Sequence, residues 1–312
     1  MSNLLLIIIF LQGLESSDTL RVKLEEIFET ASKWGVGENR DRVKKAREDL
    51  ASYGRDALEF LFQEKIKTLK TTELRAILAV IKKNKKDSTP YLVKALKNEN
   101  DTVRRAALWL CAKSKDTLAV PTILEVMNTE TAPRMIARAL YALGEIGDTS
   151  AVKDVIRFLD SDNEMIRVRA ASAFANMADK TFNDLYFKML LSEDFQIRYQ
   201  GVKGIAKIGK DGIDWILTKI EEVNDFRIHR LLMRALSKIL ETGTVDEITK
   251  AKIRQTLFVF IDREDPVLRT YTVEAMSRIG GESVVNLLRK KIETETHPLV
   301  RWQIKEVLTE YQ

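Results

Sequence analysis

Residues Met135 to Val152 read MIARALYALGEIGDTSAV, and this stretch decides the fold. With Met135 as position zero, apolar or small residues fall at positions zero, four, five, seven, eight and eleven: Met135, Ala139, Leu140, Ala142, Leu143 and Ile146. That spacing follows the 3.6-residue period and makes a stripe wide enough for a helix packed on two sides. Gly147 is placed to end the helix, because glycine adopts a left-handed backbone at least cost. Asp148, Thr149 and Ser150 then supply cap oxygens for a further helix expected from Ala151 and Val152.

Working outward, the same register returns with position zero at Val103, Met135, Ile166, Ile197, Ile228, Leu268 and Val300, at spacings of 32, 31, 31, 31, 40 and 32 residues. Position eight holds Cys111, Leu143, Phe174, Ile205, Leu236, Met276 and Leu308, while position four holds Ala107, Ala139, Ala170, Gly201, Leu232, Thr272 and Ile304. A column of large side chains therefore runs beside a column of mostly small ones. Three residues before position zero stand Asn100, Asn163, Asp194, Asp225 and Asp265, each suited to accept N–H bonds at the start of a second helix. Pro266 suits a first helical position. Weaker copies lie around Thr72 to Lys85 and Arg42 to Arg55, giving about nine helical hairpins. The 40-residue interval carries an insertion, assigned to Thr244 to Lys252, which lengthens the next outer helix or the loop before it. Periodic repetition of this length predicts an all-α solenoid, a superhelix of stacked hairpins.

Composition agrees: 45% hydrophobic and 31% charged residues in 312, with 13 glycines and 5 prolines, describe a folded helical chain with few places for a linker. The expected organisation is an N-terminal apolar segment at 1–17, N-terminal helices and degenerate repeats at 18–90, and seven repeats at 91–312, continuous with the preceding segment. The single cysteine, Cys111, rules out an intramolecular disulfide. Leu4 to Leu11 is an eight-residue apolar run, too short to span a bilayer. It matches the apolar region of a secretory signal peptide, with Gly13 or Ser16 before the cleavage point, and equally a buried helical turn capping the first repeat. The first reading places the protein in the periplasm or cell envelope, the second in the cytoplasm.

The pairs Val103–Arg104, Ile166–Arg167, Ile197–Arg198 and Val300–Arg301, together with ALGEIGD at Ala142 to Asp148, resemble the HEAT-like repeats of phycobilisome lyases. The resemblance covers residues from about 40 to 312. It implies an armadillo-like solenoid in which the second helix of each hairpin lines a concave surface, and it leaves function open, since such repeats serve scaffolds, adaptors and several enzymes. Ile136 and His229 stand where the pattern has arginine.

Two rows of side chains follow from this register. Arg104, Arg167, Arg198, Arg269 and Arg301, one residue after position zero, form a ladder whose expected role is structural, bridging turns and cap carboxylates. Positions two, three, six and ten point into the implied groove, and those 28 positions hold ten basic residues against four acidic ones. Their excess of +6 exceeds the net charge of +5 of the whole chain. Aromatic residues share the row. The candidate ligand-binding residues are Trp109, Arg138, Tyr141, Arg169, Tyr199, Lys203, Arg230, Arg234 and Tyr271. Basic and ring-bearing groups together suit an acidic peptide, a phosphorylated partner or a nucleic acid. The ordinary alternative is a solvated helix face in which long basic stems cover apolar surface.

No catalytic residue, metal ligand set or cofactor is expected. Only His229 and His297 occur, and neither is followed by glutamate, so the paired His-Glu motifs of HEAT-like hydroxylases are missing. The reading is a non-catalytic protein-interaction scaffold binding an acidic or peptide partner. Its alternative is a nucleic-acid-binding HEAT-like protein, with or without the activity of the HEAT-like alkylpurine DNA glycosylases, none of whose catalytic motifs is matched residue by residue. The last helix, Val300 to Tyr311, is expected to leave part of an apolar flank open, available to another subunit.

Overall fold

The computed structural model describes residues 18–242 and 245–310. The apolar run Leu4 to Leu11 with Gly13 and Ser16, Thr244 of the insertion, and Tyr311 lie outside the described residues. Every regular element among the described residues is helical. The chain divides into two compact units, at Ala173 and Phe174.

The first unit begins with α1 (18–31) and α2 (Asn39–Ser52). Helix α3 (Arg55–Phe60) runs on as a π turn over Leu61–Lys65, and α4 (Thr71–Lys83) returns. Three further hairpins are α5 (Lys85–Leu96) with α6 (Asp101–Ser114), α7 (Val120–Thr129) with α8 (Pro133–Ile146), and α9 (Val152–Ile156) with α10 (Glu164–Met177), whose last turn enters the second unit. The segment boundary expected between residues 90 and 91 falls inside α5, which tolerates Pro90 in its interior. Second helices stack in order, α2 on α4, α4 on α6 and α6 on α8, while α5 and α7 cover α6 and α8.

The second unit repeats the plan. Helices α11 (Asn183–Leu190), α13 (Ile213–Glu222), α15 (Glu247–Phe260) and α17 (Glu282–Thr294) form an outer row. Helices α12 (Phe195–Ile208), α14 (Phe226–Thr242), α16 (Pro266–Ile279) and α18 (Pro298–Thr309) stack on one another in turn. The helix pairs make nine hairpins among the described residues, so the chain is an all-α solenoid.

The register explains the packing. Every position-zero residue from Val103 to Val300 is buried, as is every position-four residue, and position eight is buried in six of seven repeats. Leu308, in the last helix, is half-buried. Each fully buried large side chain contributes about 1.5–3 kcal/mol, so these columns are the main source of cohesion. Small residues at position four let helices approach closely. Farther along α8, Gly144 lies so near α10 that a Cβ there would meet the Ala173 Cα at 2.5 Å.

Helix ends follow local chemistry. Asn100 Oδ1 accepts from the Thr102 amide at 2.9 Å and Asn163 Oδ1 from Ile166 at 3.3 Å. Asp194, Asp225 and Asp265 accept in the same way from Gln196, Arg227 and Leu268 at 2.7, 2.7 and 2.6 Å. Asp148 accepts from Ser150 at 2.9 Å, opening a 3-10 turn that leads into α9. Gly147 ends α8 at φ 77°, and at the equivalent points Lys115 and Ala178 take φ 52° and 53° without being glycine. In the long interval, α15 runs for 14 residues against 10 in α13, and α14 reaches 17. The added turn of α15 brings Lys252 Nζ within 3.1 Å of Asp214 on α13.

Candidate partner-binding face

Because positions zero, four and eight turn inward, positions two, three, six and ten are left toward solvent. Of the 28 such residues only Ala106 and Ala137 are buried.

In the first unit, α8 and α10 enclose a depression of about 390 Å³ lined by Arg134, Ala137, Arg138, Tyr141, Met165 and Arg169. Arg134, Arg138 and Arg169 are exposed, and none has a carboxylate partner among the described residues. The neighbouring cations differ. Lys113 Nζ lies 2.8 Å from Glu145 and 5.2 Å from the ring centre of Tyr141. The Glu145 hydrogen bond, with help from Tyr141, lifts the Lys113 ammonium above its ordinary range. Arg105 stands 3.8 Å from Asp101. Trp109 is half-buried on α6.

In the second unit, Tyr199 is exposed and the Arg234 guanidinium sits 5.7 Å from its ring centre, within cation–π range. Lys203 is half-buried and has no ion-pair partner among the described residues. Arg230 is committed to Asp265 through two bonds, one of them Nε to Oδ1 at 2.9 Å. Its hydrogen bond to Asp265 raises the guanidinium pKa, and Tyr271 lies near enough to add to the effect. Arg230 is thus half of an internal clamp between α14 and the cap of α16, whereas the sequence places it among the candidate ligand-binding residues. The sequence reading also passed over Arg134 and Met165, which sit one residue before position zero. It missed exposed Phe195 and Phe226 as well, although each lies four residues before a candidate, Tyr199 or Arg230, and so shares its helix face.

The arginine ladder faces backbone. Arg104 Nη1 donates to the Asn98 and Glu99 carbonyls at 3.0 and 2.9 Å, and Arg167 to Ser161 and Asp162 at 2.7 and 2.9 Å. Arg198 donates to Ser192 and Glu193 at 2.7 and 2.8 Å, and Arg269 to Arg263 and Glu264 at 2.8 and 2.7 Å. Arg301 reaches Ile292 and Glu295 at 2.8 and 2.6 Å. These carbonyls close the preceding outer helix or its loop, where helical partners run out. His229 replaces the arginine in its repeat, its Nε2 lying 3.1 Å from the Ile220 carbonyl and 2.6 Å from that of Val223.

Other chemistry-bearing groups are plain in their surroundings. Cys111 is fully buried, and burial pushes its thiol far above the ordinary range. Among the described residues no three His, Cys, Asp or Glu side chains gather as a metal site, and no helix is long and apolar enough to cross a membrane.

This geometry defines an all-α solenoid of helical hairpins. The family described as HEAT repeats matches residues 69–144, about a quarter of the chain. Comparison with curated protein sequences finds no match. Among solved structures, the complex of CpcE and CpcF of phycocyanin lyase from Nostoc sp. PCC7120 is similar at 16% identity and a TM-score of 0.38, over 72% of this chain and 94% of that chain. Human deoxyhypusine hydroxylase is similar at 13% identity and a TM-score of 0.32, covering 95% and 98%. Kap95p, in its complex with RanGDP, is similar at 12% identity and a TM-score of 0.47, covering 92% of this chain and 46% of that one. None of these likenesses assigns a function.

Proposed function

We propose that this protein is a non-catalytic interaction scaffold whose second-helix face binds an acidic segment of a protein partner. The observation that carries the reading is the asymmetry of that face. Arg134, Arg138, Arg169 and Lys203 have no ion-pair partner among the described residues, and Tyr141 and Tyr199 stand beside cations. Cations left without partners attract anionic groups, and rings beside them supply apolar contact area with little loss of side-chain freedom. Stacked hairpins suit this work because, within each unit, each repeat adds a similar strip of surface over which many modest contacts can sum.

The test is charge reversal. Arg138→Glu, Arg169→Glu and Arg234→Glu together replace three surface cations without touching the buried columns. Retention on immobilised poly-glutamate is expected to disappear while circular dichroism stays unchanged. Retention equal to that of the unaltered protein would refute the reading.

A further inference from the structure

We infer that the depression formed by Arg134, Arg138 and Arg169 recognises a phosphorylated side chain on the partner. The inference rests on the acidic-segment reading above and names the group that this part of the face selects.

Three guanidiniums line one depression of about 390 Å³, and none is neutralised by a carboxylate among the described residues. Among the neighbouring cations, Arg104 is matched with Asp101 and Glu130, Lys113 with Glu145, and Arg157 with Asp154. Three like charges around one hollow repel one another, and a bound anion relieves that repulsion. A carboxylate brings one charge and two oxygens. A phosphate monoester brings about 1.5 to 2 charges and three strong acceptor oxygens, which three planar donor forks satisfy more completely.

The rest of the lining points the same way. Tyr141, Ala137 and Met165 give the depression an apolar side against which the carbon stem of a phosphorylated residue packs. The flanking positions argue against a nucleic acid strand. A run of phosphates needs a continuing track of free cations. Arg105 and Lys113, the next basic residues on α6, are instead occupied by Asp101 and Glu145. A three-arginine cluster whose α6 flank is already paired suits one dianionic group.

The experiment measures fluorescence anisotropy of the full chain against three degenerate peptide libraries that differ only in a central phosphoserine, glutamate or serine. A single-stranded oligonucleotide of matched charge is the fourth probe. The phosphoserine library is expected to bind at least about tenfold more tightly than the glutamate library, and the Arg138→Gln/Arg169→Gln variant to abolish that difference. Both substitutions lie at exposed positions, and unchanged helicity establishes that the variant is folded. Equal binding of phosphoserine and glutamate libraries overturns phosphate selectivity and leaves the acidic-segment reading standing. Binding of the oligonucleotide alone, or of no probe, overturns both. A phosphoserine preference that survives in the variant overturns the assignment to this depression.

Discussion

Arg269 and Glu295 hold each other through two parallel bonds, Nε to Oε2 at 2.8 Å and Nη2 to Oε1 at 2.7 Å, with Glu295 only 4% exposed. The same arginine closes the carbonyls of Arg263 and Glu264, and Glu295 also accepts from the His297 amide at 2.9 Å. One pair thereby ties α16, the turn after α15 and the turn before α18. Replacing Arg269 by methionine strands a buried carboxylate. The expected cost is about 3 kcal/mol, read as faster amide exchange across α16 to α18. Arg269→Met/Glu295→Leu recovers most of that loss, because the uncompensated charge goes with its partner.

The same pair sets an acid response. Burial pushes the Glu295 carboxyl up, but the hydrogen bonds from Arg269 and the His297 amide, with the charges of Arg269 and Lys291, outweigh it and hold the group below its ordinary range. A carboxyl depressed in the folded state stabilises fully above its unfolded pKa of about 4.3, and that contribution is lost as pH falls through the lower folded value. Protection of α16 to α18 against amide exchange is therefore expected to decline below about pH 4. In Arg269→Met the carboxyl loses the arginine donors and charge that depress it most, so the gap between the variant and the unaltered protein narrows toward acid.

At Gly144, propensity and packing oppose each other. Alanine improves helix formation by up to about 1 kcal/mol, yet its Cβ would meet the Ala173 Cα at 2.5 Å and Cβ at 3.0 Å. Overpacking against backbone costs about 1–3 kcal/mol, so Gly144→Ala is expected to lower the thermal midpoint of the first unit. A scanning calorimetry trace that moves upward instead would show that the two helices separate freely.

Asp265 separates capping from charge. Its hydrogen bond with Arg230 is the largest influence lowering its pKa, while its Oδ1 also caps α16 through the Leu268 amide. Asn caps as well as Asp, so Asp265→Asn is expected to preserve stability within about 0.5 kcal/mol while releasing Arg230 as a free cation. Retention on poly-glutamate then rises. Asp265→Ala releases the same cation but also loses the cap, at about 1 kcal/mol.

The ladder gives a prediction without charge partners. Arg198→Ala leaves the Ser192 and Glu193 carbonyls without their 2.7 and 2.8 Å donors, an expected loss of about 1–2 kcal/mol by urea unfolding. Arg198→Lys restores only part of it, because one ammonium does not reproduce the planar fork.

Much of this architecture was legible because its causes are local. Ile197 and Ile205 lie on one helical stripe, and Asp194 precedes its helix at cap distance, so three neighbouring positions fix an element. What was hidden is pairing across one repeat. Lys113 meets Glu145, Arg230 meets Asp265 and Arg269 meets Glu295 at separations of 32, 35 and 26 residues, and these partners decide which cations stay free. Arg230 read as available because its carboxylate was counted as a cap alone. Arg134 was passed over because the face was counted from position two onward, while the start of α8 also reaches the depression.

The claim that the second-helix face is the binding surface is tested most directly by site-resolved photo-crosslinking with a benzophenone amino acid. It is placed in separate proteins at Tyr141 and Tyr199 on that face, and at exposed Leu118 and Ile248 at the starts of the outer helices. Protein adducts that form from Tyr141 and Tyr199, and that disappear when Arg138 and Arg169 are reversed to glutamate in the first case and Arg234 in the second, are the predicted result. Adducts arising only from Leu118 and Ile248, or indifferent to the reversals, would contradict it.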